Sequence, residues 1–510
     1  MRLLLLWTLP AAGAAAAFLL RRSSRLRVGL LVAMAAAHAG LVATLWLAPP
    51  APAPGAWLGV DALGLVVLTL TSLLFLAAAV YAVGYLRRDA PRGGRIFVSC
   101  LLAFLGAASV VAVSQHLAML WVGMEAATLA VAPLVFHHRN RRSLEAVWKY
   151  LLISSVAIAL ALLGVFFLAA AQAGAAGRPL LLPDLVANAR ALQPAWLRAA
   201  FVFLLVGFGT KMGLAPMHTW KPDTYGEAPG LVSGLMAGAL ASCAFLGVAR
   251  ITEVMVAAGL APFARPPLIA FGLLSLAVAA AFVVGQRDVK RLLAYSSVEH
   301  MGLLVLGLGL GGIGTYGSVL HVLNNGLAKG WLFLVAGNLA LASGSSAAAA
   351  NRGVLRTLPV SGTLLVLGLF AVTGSPPFGL FLSEFIILRA ALAGGHPAIA
   401  AAVLLLLAVV FAGMASLLLE VAMGEPGPGA VGSPLGETDR RRSSVDLRHS
   451  PEGSSLRSVS PGVPAARESR WLIASPAALA ALVLMLGVYI PGPLRAVLAR
   501  AAAALGGSAP

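Results

Sequence analysis

Lys211 lies inside a long apolar run, five residues before Pro216, in the stretch GFGTKMGLAPMHTWKPDTYGEAPGLVS. An ammonium in hydrocarbon costs from ~3 to over ~10 kcal/mol, so a chain keeps one there where a polar partner holds it. Glu125 is the candidate partner, in mid-run within MLWVGMEAATLAVAP. Neither water nor lipid satisfies a carboxylate at that depth, so Glu125 must face other helices. It is either a structural hydrogen-bonding group or half of an ion pair with Lys211. Burial and a nearby carboxylate act on a lysine's proton affinity in opposite senses. A pair balanced between them changes protonation when the carboxylate moves, which is the physical basis of a proton relay. The bland alternative for Lys211 is a static counter-ion.

A second group lies further on. DVKRLLAYSSVEHMGLL carries Glu299 and His300, and HVLNNGLAKGWLFLVAGN carries His321 and Lys329. His321 and Lys329 are eight residues apart, about two helical turns on one face, with Asn324 and Asn325 between them. Such a face suits a hydrated proton path, although a histidine there also serves as a satisfied core residue. Glu384, in GSPPFGLFLSEFIIL, reads as a terminal proton donor or acceptor on the outer side, or as a solvated helix-end group. His218, Asp223 and Glu227 follow Lys211 in a polar turn, where the two acids are placed to shape the approach to it. Glu145 and Lys149 have the i, i+4 spacing of a surface pair. Asp61, Asp89 and Asp288 fall at span ends.

The elements that position these residues are apolar helices. The chain has 510 residues, 60% hydrophobic and 11% charged, a balance that excludes a water-soluble domain. The reading is an all-α polytopic membrane protein of about fourteen transmembrane helices, near 3–20, 29–48, 63–86, 96–114, 117–136, 148–170, 199–217, 229–249, 267–285, 292–311, 315–343, 358–388, 398–423 and 471–490. The first run reads as a retained span rather than a signal peptide. The twelfth span is overlong and holds Gly374, Pro376 and Pro377 in its middle; the seventh holds Gly213 and Pro216. Two interrupted helices at corresponding places in two halves point to inverted repeats with a site between them.

The net charge of +18 does not indicate nucleic acid, because most of the 36 Lys and Arg sit in alternate loops. That asymmetry places those loops, Lys221 and Lys290 among them, on the cytoplasmic side and both termini outside. Cys100 and Cys243 lie in separate spans and give no iron–sulfur, haem or zinc spacing. Gly424–Arg470, rich in Ser, Pro, Gly and Arg, reads as a disordered cytoplasmic loop.

GME around Glu125, TKMGLAPMHTWKPDTYGEAP, DVKRLLAYSSVEHMG, HVLNNGLAKGWLF and GSPPFGLFLSEF resemble the antiporter-like family of complex I large membrane subunits, Mrp antiporters and membrane-bound hydrogenases. VEHMG, SCAFLG and SPPFGLFLSEF look most like hydrogenase-4 component F and formate hydrogenlyase membrane subunits. The resemblance implies fourteen helices with two inverted five-helix repeats. The domain boundaries expected are 1–95 for the first three helices, 96–255 and 256–423 for the repeats, 424–470 for the loop and 471–510 for the last helix and tail. It also implies proton movement through Glu125 and Lys211, then His300, His321, Lys329 and Glu384, with His218, Asp223, Glu227, Ser242 and Glu299 in support. Many relatives have a lysine or histidine in the eighth span, where this chain has AGALASCAFLG with Ser242 and Cys243; water held by Ser242 is the expected substitute. Many also have lysine in the twelfth span in place of Glu384.

The function expected is a proton-translocating subunit of a hydrogenase-4-like or NADH:quinone oxidoreductase-like complex in a bacterial-type inner (cell) membrane. The chain itself is expected to hold no cofactor, with nickel–iron and iron–sulfur centres or quinone in partner subunits. An Mrp-type cation/proton antiporter subunit is the alternative, and a passive membrane scaffold is a third.

Overall fold

The computed structural model describes residues 1–20, 23–50, 55–88, 94–172, 179–425 and 468–509. Asp89 and nearly all of the expected loop 424–470 lie outside them. Among the described residues the chain is helical, with isolated bridges such as Leu58–Ser114 and no strand.

The helices follow the apolar runs: α1 (Arg2–Leu19), α2 (Ser24–Leu47), α3 (Ala62–Arg88), α4 (Gly94–Val113), α5 (Leu117–Val135), α6 (Arg141–Ala171) and α7 (Pro194–Met212). Then come α8 (Trp220–Glu227), α9 (Gly230–Ala257), α10 (Ala261–Val283), α11 (Val289–Leu310) and α12 (Ile313–Ser343). The last are α13 (Pro359–Val372), α14 (Gly379–Ala393), α15 (Pro397–Met423), α16 (Arg470–Val488) and α17 (Gly492–Ala504). Among the described residues, thirteen helices are long and apolar enough to cross a membrane, or fourteen if the bent pair Ala348–Thr357 and Pro359–Val372 is one span. Both expected interruptions are present, between α7 and α8 and between α13 and α14.

Helix starts reach further back than hydropathy suggests, because polar first turns are capped. The Asn140 side chain accepts from Ser143 N–H and the Ser143 hydroxyl from Asn140 N–H, a capping box that starts α6 at Arg141 rather than near 148. Asp288 caps α11 by accepting from Arg291 N–H at 2.9 Å. At the start of α13, the Glu468 carboxylate accepts from Val360 and Ser361 N–H at 2.9 and 3.0 Å.

Apolar side chains at the periphery, such as Leu129, Leu152, Phe166 and Leu405, stay exposed, as a lipid-facing surface requires. Lipid tails give helices no hydrophobic reason to associate, so close packing and internal hydrogen bonds must hold the bundle. Gly230, Gly234 and Gly238 form an i, i+4, i+8 stripe on α9. A Cβ at Gly230 or Gly238 would run into the α12 backbone at Gly337 and Gly326 respectively, and one at Gly234 would touch Gly330. The two backbones therefore touch along glycine, and α12 carries His321 and Lys329 against the most buried helix. Tyr81 on α3 adds a hydrogen bond at 2.9 Å to Asn338, which also bonds Ser361 and the Leu472 carbonyl.

Candidate functional site

The first interruption is built by glycine and repaired by side chains. Gly213 ends α7 with φ 83°, a left-handed conformation that costs other residues ~1–2 kcal/mol. Breaking the helix leaves carbonyls unpaired at membrane depth. Trp220 Nε1 donates to the Thr210 carbonyl at 3.0 Å, and Lys221 Nζ to that of Met212 at 2.8 Å. Ala215 N–H donates to Ser275 Oγ on α10 at 3.0 Å. The Lys211 side chain, 1% exposed, leaves the last turn of α7 towards α5. Its Nζ donates to Thr128 Oγ1 at 2.7 Å and lies 3.5 Å from the Glu125 carboxylate. The Glu125 side chain is 24% exposed, and its Oε2 is buried with no hydrogen bond. The ion-pair reading of these two residues is the one the geometry takes.

The second group converges across α11, α12 and α14. Lys329 Nζ donates to Ser296 Oγ at 2.7 Å, and Ser296 Oγ donates to Glu299 at 3.3 Å. His300 Nδ1 is 3.1 Å from His321 Nε2, and His321 Nδ1 is 2.8 Å from Ser383 Oγ. The Glu384 carboxylate lies 3.9 Å from His300 Nδ1, its side chain 11% exposed. Glu384 is therefore an interior residue, and the solvated helix-end reading falls. The second break permits this: at Gly374, with φ 65°, a Cβ would overlap the Glu384 carboxylate. Asn324 bonds the Gly379 carbonyl at 2.7 Å and ties α12 to the first residue of α14. Pro216, Pro376 and Pro377 fall within the two breaks. One ligand atom each from His300, His321 and Glu384 lies within 4.8 Å of the others, a donor set that suits a zinc-type ion.

The supporting residues divide. His218 is buried in the first break, its ring 6.3 Å from Tyr295 and 6.5 Å from Phe282. Asp223 does not serve Lys211: it pairs with Lys149 at 2.8 Å and Arg291 at 2.9 Å, near the starts of α6 and α11. Glu227 ends α8, a short helix where a loop was expected, and is not among the partners of Lys211. Ser242 donates to the Gly238 carbonyl of its own helix at 2.6 Å, beside a π turn over Met236–Leu240. Glu145 and Lys149 pair at 2.7 Å.

Two basic residues expected in cytoplasmic loops are interior. Lys221 is fully buried, and Lys290 is buried with its Nζ on the Gly226 and Ala228 carbonyls. Both cap ends of α8 and its neighbours, a use that local polarity in the sequence concealed. Asp61, expected as a dull span-end charge, pairs at 2.8 Å with Arg250, which is buried on α9 and also donates to the Ser114 carbonyl. Thr128 and Ser383 carried no signal, because single hydroxyls are common in apolar helices.

Interrupted helices around buried, facing lysines and glutamates define a class, the membrane transport subunits of antiporter type. The family model described as "NADH:quinone oxidoreductase/Mrp antiporter, TM" matches residues 114–411, and the chain belongs to this family. It is 33% identical over 395 residues to a hydrogenase-4 component F homolog from Methylacidiphilum infernorum, covering 76% of this chain and 83% of that one. It is 33% identical over 370 residues to NADH-quinone oxidoreductase subunit N from Desulforudis audaxviator, covering 71% and 72%. The fold matches a chain in the structure of the membrane-bound sulfane sulfur reductase, an archaeal respiratory membrane complex. The TM-score is 0.84 at 20% identity, over 99% of this chain and 98% of that one.

Proposed function

We propose that this chain moves protons across the membrane for an oxidoreductase complex of the hydrogenase-4 or NADH:quinone type. Partner subunits carry the nickel–iron and iron–sulfur centres or quinone, and electron transfer there supplies the free energy. The observation that supports this most directly is the buried Lys211, 3.5 Å from Glu125 and bonded to Thr128. Drawing Glu125 away leaves the Lys211 ammonium without its counter-charge in a low-dielectric interior, and its proton is expelled. The proton then passes to the Lys329–Ser296–Glu299 group and the His300–His321–Glu384 group. Return of Glu125 recharges Lys211.

Two repeats, 96–255 and 256–423, each contribute one interrupted helix to this path. Both termini face outward in a bacterial-type inner membrane. The 33% identity to a hydrogenase-4 component F homolog supports the choice of complex.

The test is Glu125→Ala in the assembled complex. Proton pumping into inverted membrane vesicles is expected to vanish while the complex stays intact on native gels. Wild-type proton flux in that variant refutes the proposal.

A further inference from the structure

The Glu125–Lys211 pair and the groups around Lys329 and Glu384 form a row of ionisable side chains, and α9 supplies no connection between its two halves. Between Gly230 and Gly247 that helix offers Ser233, Ser242 and Cys243 and no charged side chain. Ser242 and Ser233 already donate to backbone carbonyls, the first to Gly238 and the second to Tyr225. A different residue occupies the joint. Lys221, on the first turn of α8, is fully buried and folds back over Gly213, where a Cβ would strike its side chain. Its Nζ donates to the Met212 carbonyl at 2.8 Å and reaches the Ser297 carbonyl on α11 at 3.4 Å.

Those two acceptors belong to the neighbours of the groups on either side. Met212 follows Lys211 in the chain, and Ser297 follows Ser296, whose hydroxyl accepts from Lys329. The Ser297 hydroxyl is itself buried and unpartnered. Among the described residues, no carboxylate forms an ion pair with Lys221; its ammonium rests on the Met212 and Ser297 carbonyls and lies 5.6 Å from the centre of the Tyr225 ring. A lysine held this way exists as amine or ammonium, whereas an arginine in its place stays charged.

We propose that Lys221 is the proton carrier that joins the two halves of the row, in place of a titratable side chain in α9. The inference rests on the proton-translocation reading given above. Lys211 gives a proton to the Lys221 amine, and Lys221 gives one to the Lys329 amine through the serine hydroxyls and intervening water. Each transfer breaks one N–H bond, makes another, and carries one positive charge forward. The carbonyl of Met212 holds the Lys221 side chain between its donor and its acceptor.

The alternative is that Lys221 only caps the broken end of α7. Lys221→Arg separates the two, because it keeps the charge and the carbonyl bonds but does not release a proton. Lys221→Gln keeps a donor without charge. Inverted membrane vesicles from cells carrying either variant are energised with hydrogen, formate or NADH, whichever the native complex oxidises, and acidification and electron transfer are recorded together. Both variants are expected to assemble and to lose acidification on the order of 10²-fold, the scale of removing a proton-transfer group. Wild-type acidification with Lys221→Arg overturns the inference, and so does failure of both variants to assemble, which identifies a structural cap. Lys211→Ala is measured in parallel. If it also pumps normally, the underlying reading fails; if it is silent while Lys221→Arg pumps, only the proposed link fails.

Discussion

A charged group in an apolar run is conspicuous, and what holds it is not. Glu125, Lys211, Lys329 and Glu384 stand out in the sequence because lipid cannot satisfy them. The hydroxyls that bind them do not. Thr128 accepts from Lys211 at 2.7 Å while donating to the Met124 carbonyl of its own helix at 2.9 Å. A hydrogen bond to a charged group contributes ~1.5–3 kcal/mol. Thr128→Val keeps the shape and removes the acceptor, so the ammonium depends on Glu125 alone. Pumping is expected to slow by roughly tenfold, the rate equivalent of ~1.4 kcal/mol, measured as the initial rate of vesicle acidification; an unchanged rate shows that Thr128 contributes nothing. Lys221 was misread for the opposite reason. WKPDTYGE is polar enough to pass for a loop, and only the fold reveals that it forms α8 and turns a lysine inward.

At the scale of the element, the interruptions were legible and their repair was not. Gly213 with Pro216, and Gly374 with Pro376 and Pro377, announce that their helices stop. The residues that satisfy the exposed carbonyls of α7, Trp220 and Lys221, come from beyond the break, and Asn324 ties the start of α14 to α12. The glycine stripe on α9 is a regular pattern, but the sequence alone does not say which helix it meets. Gly213 combines both roles, with a left-handed φ and a Cβ position occupied by Lys221. Gly213→Ala therefore costs ~2 kcal/mol or more, from the backbone and from overpacking. The melting temperature of the detergent-solubilised complex is expected to fall. Gly29→Ala, at an open position on α2, is expected to leave it unchanged or slightly raised. Equal effects of the two substitutions contradict this account of the break.

For the molecule as a whole, fourteen apolar runs were enough to give the architecture, since hydropathy and length dictate spans. Two long-range ties were out of reach. Arg250 and Asp61 are 189 residues apart and join α9 to the start of α3. His38 on α2 bonds Ser72 on α3 at 3.0 Å and Ser109 on α4 at 2.8 Å, pinning the first helices together. Sequence shows each residue but not its partner. The distribution of Lys and Arg also fixes an expected orientation. Ser508, exposed near the C-terminus, is placed outside by it. Ser508→Cys is expected to react with a membrane-impermeant maleimide in intact cells, with the parent chain as control for Cys100 and Cys243. Labelling only after the cells are opened reverses the orientation and with it the direction assigned to the path.

The central claim is that the charge state of Lys211 couples electron transfer to proton movement. The direct measurement is the ratio of protons pumped to electrons transferred by the assembled complex carrying Lys211→Ala. The account predicts that electron transfer persists, slowed or not, while the ratio falls by at least the contribution of this subunit. An unchanged ratio contradicts it.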